Sequence, residues 1–324
     1  MRWGIFQRSI RYTVGLIVTL TINPALDRNV SADRLVFEDR AYILDTGLSA
    51  GGRGINASRV IHSFGMETLA IATSGGATGQ KFEELLKTSN FPVQVVRISH
   101  ETRTNLTISD QQGLTVKLNE FGPHIEPEEL AAVTKAVEAS LAGAEWLMIC
   151  GSLPPGVASD FYSGLIRLAH GRKVKTLLDT DGDALLHGLE AAPTLVTPNQ
   201  QEAERLLNKV LITRTHFIEA VERIHAMGAE SVLLSLGSRG VVAKDAGGMI
   251  EVIPPRIDAV CPIGAGDAMA AAFLWAICNK NDFRDAVRWA VAAGTASAKL
   301  PGLAFASLEQ TKEMYKRVEV RAVK

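Results

Sequence analysis

A glycine-rich turn that leads into an apolar helical pattern is the segment with the clearest chemical potential. Gly264, Ala265, Gly266 and Asp267 precede a run rich in alanine, so the pattern predicts a carboxylate in the first turn of a helix. Backbone N–H groups at a helix start can bind an anion, and glycine lets a phosphate approach the main chain. A carboxylate beside such a site can accept a hydroxyl proton. The segment therefore predicts phosphoryl transfer, although a turn with Asp267 as a simple helix cap would show the same residues.

Two further segments offer groups that could bind a polar ligand. Residues 51–56 form a second glycine-rich turn before a helical pattern, and Asn56 would supply a side-chain amide there. Their spacing matches neither the dinucleotide fingerprint nor the phosphate loop that ends in Gly-Lys-Ser/Thr. Asp27 follows the first predicted strand, where a carboxylate could pair with sugar hydroxyls. A glycine turn without a ligand and a solvated turn aspartate are the competing interpretations.

The sequence also contains candidate ligands for a cation and for a phosphate. Asn199 and Glu202 share one face of a predicted helix start, and their oxygens suit Mg²⁺ bound through water. The same two residues would equally form a capping box. Arg40, Arg103 and Asn105 lie in predicted surface strands, and an arginine fork matches phosphate oxygens. Most surface arginines are only solvated.

Alternation of strand and helix patterns organises these residues. The alternation predicts an α/β fold around a mainly parallel sheet, in which ligands bind beyond the carboxyl ends of the strands. Several glycine or polar clusters follow predicted strands, so they should meet at one edge of the sheet. Residues 25–50 and 103–120 lack a helical period and contain a hairpin signal at residues 110–113. We expect these two segments to form a small sheet outside the core.

Composition excludes several classes of partner. The chain has 324 residues, a formal net charge of −1 and 47% hydrophobic residues, which gives no electrostatic bias toward nucleic acid or anionic membrane. It has no apolar run long enough to span a membrane. Three cysteines fit a reducing, cytoplasmic setting. Residues 1–13 are predicted to be a disordered extension before a domain over residues 14–320, and we expect small-molecule partners.

Taken in order, these motifs resemble the PfkB, or ribokinase-like, carbohydrate kinases, and within them the phosphofructokinase and tagatose-6-phosphate kinase branch. The resemblance spans about residues 14–317. Its further motifs are residues 21–27, 75–79, 101–105, 151–156, 198–202 and 235–237. It implies a three-layer α/β core with a small β-sheet lid, and a homodimer formed through that lid. It also implies ATP and Mg²⁺ as cofactors and allows a monovalent cation.

The resemblance assigns roles to individual residues. Asp267 would be the catalytic base, and the amides of Ala265, Gly266 and Asp267, which follow Gly264, would form an anion hole. We expect a carboxylate at a helix start to stay ionised near neutral pH. The residues implied to bind sugar hydroxyls are Asp27, Gly52 and Asn56. Those implied to bind the phosphate end of the substrate are Arg40, Arg103, Asn105 and Ser152.

The nucleotide side has its own implied set. Asn199 and Glu202 would organise Mg²⁺ and the ATP phosphates, while Ser235 and Gly237 would line the nucleotide loop. Three residues depart from the pattern of the branch. Pro262 stands where threonine is usual, Arg53 where lysine or glycine is common, and Thr197 where lysine often precedes Pro-Asn.

The sequence thus predicts an ATP-dependent kinase that converts fructose 6-phosphate to fructose 1,6-bisphosphate. Arg40 favours the 6-phosphate, because the resemblance places a basic residue there in fructose-6-phosphate enzymes. Fructose 1-phosphate and tagatose 6-phosphate are alternative substrates. An alternative of another class is a sugar-phosphate-binding regulator with weak or no kinase activity, since Pro262 and Thr197 depart from the pattern. A nucleoside kinase is disfavoured, because its substrate would have no phosphate group to pair with the arginine motif.

Overall fold

The computed structural model describes residues 15–36 and 38–323. The predicted extension, residues 1–13, lies outside this range, and the division into extension and domain stays a prediction. The strands in the described range are β1 Leu16–Thr21, β2 Ala25–Ala32, β3 Ile43–Gly51, β4 Thr68–Ser74, β5 Val93–Arg97, β6 Arg103–Asp110, β7 Thr115–Asn119, β8 Ala144–Cys150, β9 Lys175–Asp179, β10 Leu195–Val196, β11 Val232–Ser235, β12 Val241–Asp245, β13 Gly248–Ile253 and β14 Glu319–Ala322.

The helices surround these strands. They are α1 Arg53–Ser63, α2 Gly76–Leu86, α3 Pro127–Ser140, α4 Phe161–Gly171, α5 Gly182–Leu189, α6 Gln200–Leu207, α7 Arg214–Ala226, α8 Ala265–Cys278, α9 Phe283–Ser297 and α10 Leu308–Tyr315. None of the helices described here is both long and apolar enough to cross a membrane.

A large central sheet has the strand order β14-β13-β12-β11-β10-β9-β8-β1-β4-β5. Within this order, every neighbouring pair between β11 and β5 is parallel. The remaining strands, β12, β13 and β14, add an antiparallel edge. All six residues of β1 are buried, because this strand has neighbours on both sides in the sheet and both of its faces are covered. The predicted mainly parallel sheet is therefore confirmed, and its antiparallel edge was not predicted.

Helices cover both faces of the large sheet and form two hydrophobic cores. One core packs side chains of α3 to α7 against residues such as Val18 and Leu20 of β1. The other packs α1, α8, α9 and α10 against Ile17, which points to the opposite face. Alanines of α8 allow close packing against α1 and α9, so the start of α8 is fixed by the second core. These layers match the predicted three-layer core.

The predicted lid is a separate four-stranded sheet with the order β3-β2-β6-β7. Its hairpin turns at residues 110–113, where the Asp110 carboxylate accepts hydrogen bonds from the backbone N–H groups of Gln112 and Leu114. Asp27 pairs with Ser49 and Asn105 across the lid strands. The alternation of strand residues places these polar side chains on one face of the lid and Leu48, with other apolar residues, on the opposite face.

Candidate active site

Two cavities meet at the start of α8. The larger has a volume of about 1020 Å³ and is lined in part by Ala265 and Gly266. The smaller has a volume of about 260 Å³ and is lined in part by Asp267. The next residue after Gly266 therefore faces a different cavity, so the helix start forms the boundary between two binding spaces.

The backbone at this boundary leaves two of the three amides of the predicted anion hole without an acceptor in the described chain, and the anion hole stays a prediction. Gly264 has a φ of 78°, and a Cβ there would lie 2.9 Å from side-chain atoms of Leu303 and Phe305. The Ala265 N–H donates to the Pro262 carbonyl oxygen at 3.2 Å, so this amide is not available to an anion. The N–H groups of Gly266 and Asp267 have no acceptor within the described residues. The structure thus offers two amides where the sequence suggested three.

The carboxyl group of Asp267 is buried and held by Asn56. The Asn56 Nδ2 donates to Asp267 Oδ2 at 2.7 Å. Burial and the nearby Asp179 carboxylate raise the pKa of Asp267 to about 7, although Asn56 and Arg53 act in the opposite direction. A pKa of about 7 leaves this group only partly ionised at neutral pH, whereas the sequence predicted an ionised group, because burial disfavours the charged form. Asp267 is poised to gain or lose a proton near pH 7.

Several residues of the smaller cavity have a buried side-chain oxygen without a hydrogen-bond partner in the described chain. Thr21 Oγ1, Asn23 Oδ1, Asn56 Oδ1 and Asn105 Oδ1 are buried and have no hydrogen-bond partner within the described part of the chain. All four residues line this cavity. A buried polar atom without a partner is costly, so such a group of oxygens indicates a ligand that supplies several hydrogen-bond donors. A sugar with several hydroxyl groups has this property.

The two glycines before α1, Gly51 and Gly52, make room for the side chains of Asp27 and Thr21. A Cβ on Gly51 would lie 1.9 Å from Asp27 Oδ2, and a Cβ on Gly52 would lie 2.7 Å from Thr21 Cγ2. Gly52 also has a φ of 136° and lines the smaller cavity. Asp27 accepts a hydrogen bond from Asn105 Nδ2 at 2.9 Å, and burial raises its pKa. Asp27 itself does not line the cavity but reaches it through Asn105.

The residues predicted to bind the substrate phosphate are only partly brought together. Arg103 and Ser152 line the smaller cavity. The Arg103 guanidinium donates to the main-chain carbonyl groups of Glu120 at 2.8 Å and Asn23 at 2.9 Å, so it also ties the lid to the end of β1. Ser152 Oγ accepts from Asn23 Nδ2 at 3.2 Å. Arg40 is exposed and lines neither cavity, and its role stays a prediction.

The predicted nucleotide residues lie at the larger cavity with one exception. Asn199, Ser235 and Gly237 line it, and Asn199 and Ser235 form a β-bridge. Glu202 is buried beneath them and makes the capping box, since its Oε2 accepts from the Asn199 N–H at 2.8 Å and its N–H donates to Asn199 Oδ1 at 2.9 Å. The capping interpretation is confirmed, and it leaves the magnesium interpretation open.

Comparison with known proteins identifies the family. A family model for pfkB family carbohydrate kinases matches residues 21–311. The chain belongs to the pfkB family of carbohydrate kinases. It is 30% identical over 308 residues to a tagatose-6-phosphate kinase of Staphylococcus epidermidis, a match that covers 94% of this chain and 99% of that protein. It is 32% identical over 302 residues to the ATP-dependent 6-phosphofructokinase isozyme 2 of Escherichia coli K12, covering 92% and 97%.

A solved structure agrees with the fold of this pfkB kinase. Phosphofructokinase-2 from Escherichia coli in complex with fructose-6-phosphate superimposes with a TM-score of 0.86 at 31% identity, covering 94% of this chain and 99% of that one. The predicted resemblance and the predicted ribokinase-like fold are thereby confirmed. The family also confirms that the protein is a carbohydrate kinase. The relatives act on different sugar phosphates by name, so they leave the substrate open.

An ionic cluster of this pfkB kinase was missed by the sequence analysis. Arg53, the first residue of α1, contacts Asp179 at 2.8 Å, Glu202 at 3.0 Å and Asp181 at 3.4 Å. Asp179 ends β9 and Asp181 is the N-cap of α5, so both follow a parallel strand. The sequence signal was available, because the Asp179-x-Asp181-Gly cluster follows a predicted strand as the other site motifs do.

Proposed function

We propose that the protein transfers the terminal phosphoryl group of ATP to a ketohexose monophosphate, with fructose 6-phosphate as the preferred substrate and fructose 1,6-bisphosphate as the product. The observation on which this proposal depends most is the division of the α8 start between two cavities. Asp267 faces the smaller cavity, whereas Gly266 faces the larger one. A phosphoryl donor and a hydroxyl acceptor bound in these cavities would meet at the base.

The smaller cavity suits a phosphorylated sugar. Its orphaned oxygens can accept hydrogen bonds from sugar hydroxyls, and Arg53 and Arg103 are the basic residues that line it among those described. A guanidinium group pairs well with phosphate oxygens. Fructose 6-phosphate is preferred because the related Escherichia coli structure contains that sugar and the sequence match extends over nearly the whole chain. Tagatose 6-phosphate is the alternative supported by the Staphylococcus relative, and fructose 1-phosphate stays a third candidate.

The larger cavity suits a nucleotide. It combines apolar residues, such as Ile257 and Val291, with the polar main chain near Ser235 and Gly237. An apolar space of this size can bury a purine base, and the free amides at the α8 start can bind phosphate oxygens. ATP as the donor follows from this arrangement and from the ATP-dependent relative in Escherichia coli.

The proposed reaction is a direct in-line transfer. The sugar O1 forms a bond to the terminal phosphorus of ATP as the bond between that phosphorus and the β,γ-bridging oxygen breaks. ADP leaves with the electron pair of that bond, and the O1 proton passes to the Asp267 carboxylate. The N–H groups of Gly266 and Asp267 donate to the oxygens of the transferred group. Positioning and charge stabilisation are the main requirements of such a step.

Magnesium would accompany the nucleotide, and Asn199 and Glu202 fit a hydrated ion rather than direct ligation. Glu202 Oε1 accepts from Arg53 and Oε2 accepts from the Asn199 N–H, so both oxygens already have protein partners. No group of three or more metal-ligating side chains occurs among the described residues. When bound, the ion would shield the phosphate charges. The monovalent cation implied by the resemblance stays a prediction.

We also propose that two chains pair through the lid. The face of the lid that points away from the smaller cavity exposes Leu48, Val116 and Leu118, with Leu118 55% exposed. The opposite face holds Asn105 and Asn119, which line the cavity. An exposed apolar patch on a sheet is typical of an interface. A second copy of the chain would cover this patch and stabilise the lid above the sugar.

A substrate panel tests the proposed function. ADP release is measured with ATP and fructose 6-phosphate, fructose 1-phosphate, tagatose 6-phosphate, fructose, ribose or adenosine, and ³¹P NMR identifies the product. We expect the highest kcat/KM with fructose 6-phosphate and a new phosphate on O1. A higher kcat/KM with another sugar phosphate would show that this compound, and not fructose 6-phosphate, is the preferred substrate. Binding of sugar phosphates without any turnover would instead support the regulator.

A further inference from the structure

Arg53 lies among carboxylates that come from three separate elements. Its Nη1 contacts Asp179 at the end of β9, and its Nη2 contacts Glu202 in α6 and Asp181 at the start of α5. The side chains of Asp179 and Glu202 are only 9% and 5% exposed, whereas the Arg53 side chain is 31% exposed. The guanidinium therefore covers buried negative charge on one side and reaches open space on the other.

The guanidinium has donors to spare. It carries five N–H groups, and its Nε–H donates to no acceptor within the described chain. The three contacts use only Nη1 and Nη2, so Nε and one Nη1 hydrogen are available to a ligand. Arg103 also uses three of its five N–H groups, but these include its Nε–H, and all three donate to main-chain carbonyl groups. Arg53 is thus the arginine of the smaller cavity whose Nε–H has no acceptor among the described residues.

Arg53 also lies close to the proposed base. Asn56 is three residues further along α1, so the two side chains share a face of this helix. Asn56 donates to Asp267, and both Arg53 and Asp267 line the smaller cavity. The positive charge of Arg53 lowers the pKa of Asp267, which is a second sign of their proximity. A phosphoryl group bound at the first turn of α8, beside the Asp267 carboxylate, would therefore lie next to Arg53.

We propose that Arg53 binds the phosphoryl group during its transfer, in addition to holding Asp179 and Glu202 in place. This inference rests on the proposed function, since it requires transfer from ATP to a sugar phosphate at Asp267. Charge on the transferred group is spread over its three equatorial oxygens in the transition state, and an arginine beside those oxygens stabilises it. The Arg53 guanidinium therefore contributes more to kcat than to the binding of ATP or ADP.

The alternative role is purely structural, in which Arg53 only neutralises the carboxylates. In that case its loss would disturb Glu202 and Asn199, and nucleotide binding would weaken as much as catalysis. The two roles differ in one measurable property, namely the affinity for a mimic of the transferring group. MgADP with aluminium fluoride and the best sugar phosphate of the panel supplies that mimic. MgADP with the same sugar and without fluoride is the ground-state probe.

The test compares Arg53→Gln with the wild-type enzyme and with Arg214→Gln. Arg214 forms a two-pronged ion pair with Glu251 at the surface and lines neither cavity, so it is a matched control. We expect Arg53→Gln to lose about 100-fold in kcat and in affinity for the fluoride complex. Its affinity for MgADP alone should stay within about three-fold of wild type, since uniform binding is kept. The Arg214→Gln control should match wild type in kcat, in affinity for the fluoride complex and in affinity for MgADP.

A second variant makes the result independent of folding, because Gln at position 53 leaves buried carboxylates without their cation. Arg53→Lys keeps the charge but loses the planar fork, and we expect a selective loss of about 10-fold for the fluoride complex. Equal losses for MgADP and the fluoride complex in either variant, or no loss in both, would overturn the proposal. A wild-type enzyme without turnover on any sugar would defeat the proposed function itself, which separates the two failures.

Discussion

At the scale of single residues, Asp267 is set by opposing influences. Burial and Asp179 raise its pKa, whereas the Asn56 hydrogen bond and Arg53 lower it, and the result is about 7. The sequence indicated the helix start but not the burial, so it predicted an ionised group. A base with a pKa near the working pH suits catalysis, since it is deprotonated often enough to act and basic enough to take a proton.

This pKa predicts the pH dependence of activity. The base acts in its deprotonated form, so kcat/KM should rise as the pH increases through about 7 and level off above it. Asn56→Ala removes a hydrogen bond that lowers the pKa of Asp267, so the inflection should move to higher pH. Initial rates between pH 5.5 and 9 measure both profiles.

The variant is also the control for the substrate, whose phosphate group titrates near pH 6. An inflection that belongs to the substrate would not move when Asn56 is replaced. A flat profile for the wild-type enzyme from pH 5.5 to 9 would contradict the assignment, because a carboxyl group of ordinary pKa is ionised throughout that range.

At the scale of elements, the two glycines at the start of α8 have different roles: Gly264 is required by the backbone, and Gly266 by the proposed ligand. Gly264 has a positive φ and packs against Leu303 and Phe305, whereas a Cβ on Gly266 would meet no atom within 4 Å. Gly266 also lines the larger cavity. A methyl group there would occupy space that the proposed function assigns to the phosphates of ATP.

The two glycines therefore predict opposite outcomes. Gly266→Ala should keep the melting temperature, since alanine favours a helix over glycine, and should lower kcat/KM for ATP by about 100-fold. Gly264→Ala should lower the melting temperature because of its φ of 78° and its crowded surroundings. Thermal unfolding and initial rates measure both. An unchanged kcat/KM for ATP in Gly266→Ala would contradict the proposed phosphate position.

The elements show which parts of the site could be predicted. The turns after β1, β10 and β11 were expected at one edge of the sheet, because parallel strands bring their carboxyl ends together. The role of Pro262 was not predictable, since its carbonyl takes the Ala265 N–H through local loop geometry. The position of Asp179 at the end of a strand could be predicted, but its pairing with Arg53 could not, because the ion pairs of Arg53 join residues 126 and 149 positions apart.

At the scale of the whole molecule, the lid connects the sugar site to association between chains. Alternation along its strands places Asn105 and Asn119 toward the cavity and Leu48, Val116 and Leu118 away from it. The hairpin signal made the lid predictable from sequence. The antiparallel edge formed by β12 to β14 was missed, although the two-residue link between β12 and β13 is long enough only for an antiparallel pair.

The proposed pairing predicts the effect of charge on the lid. Leu118→Glu should convert a dimer to a monomer and raise KM for the sugar, because the lid would lose its support. Ile212→Glu is the matched control, since Ile212 is 70% exposed but lies outside the lid. Sedimentation equilibrium measures the mass of each form. A monomeric wild-type protein, or a Leu118→Glu protein that stays dimeric, would contradict pairing through this face.

The most direct test of the central claim is the turnover of Asp267→Asn. The substitution keeps the shape of the side chain and removes its ability to take a proton, so we expect kcat to fall by about 10²- to 10⁴-fold. The dissociation constant of the sugar phosphate, measured by calorimetry on the same variant, should change little. A variant that turns over at the wild-type rate would contradict the account, because the reaction would then proceed without the base.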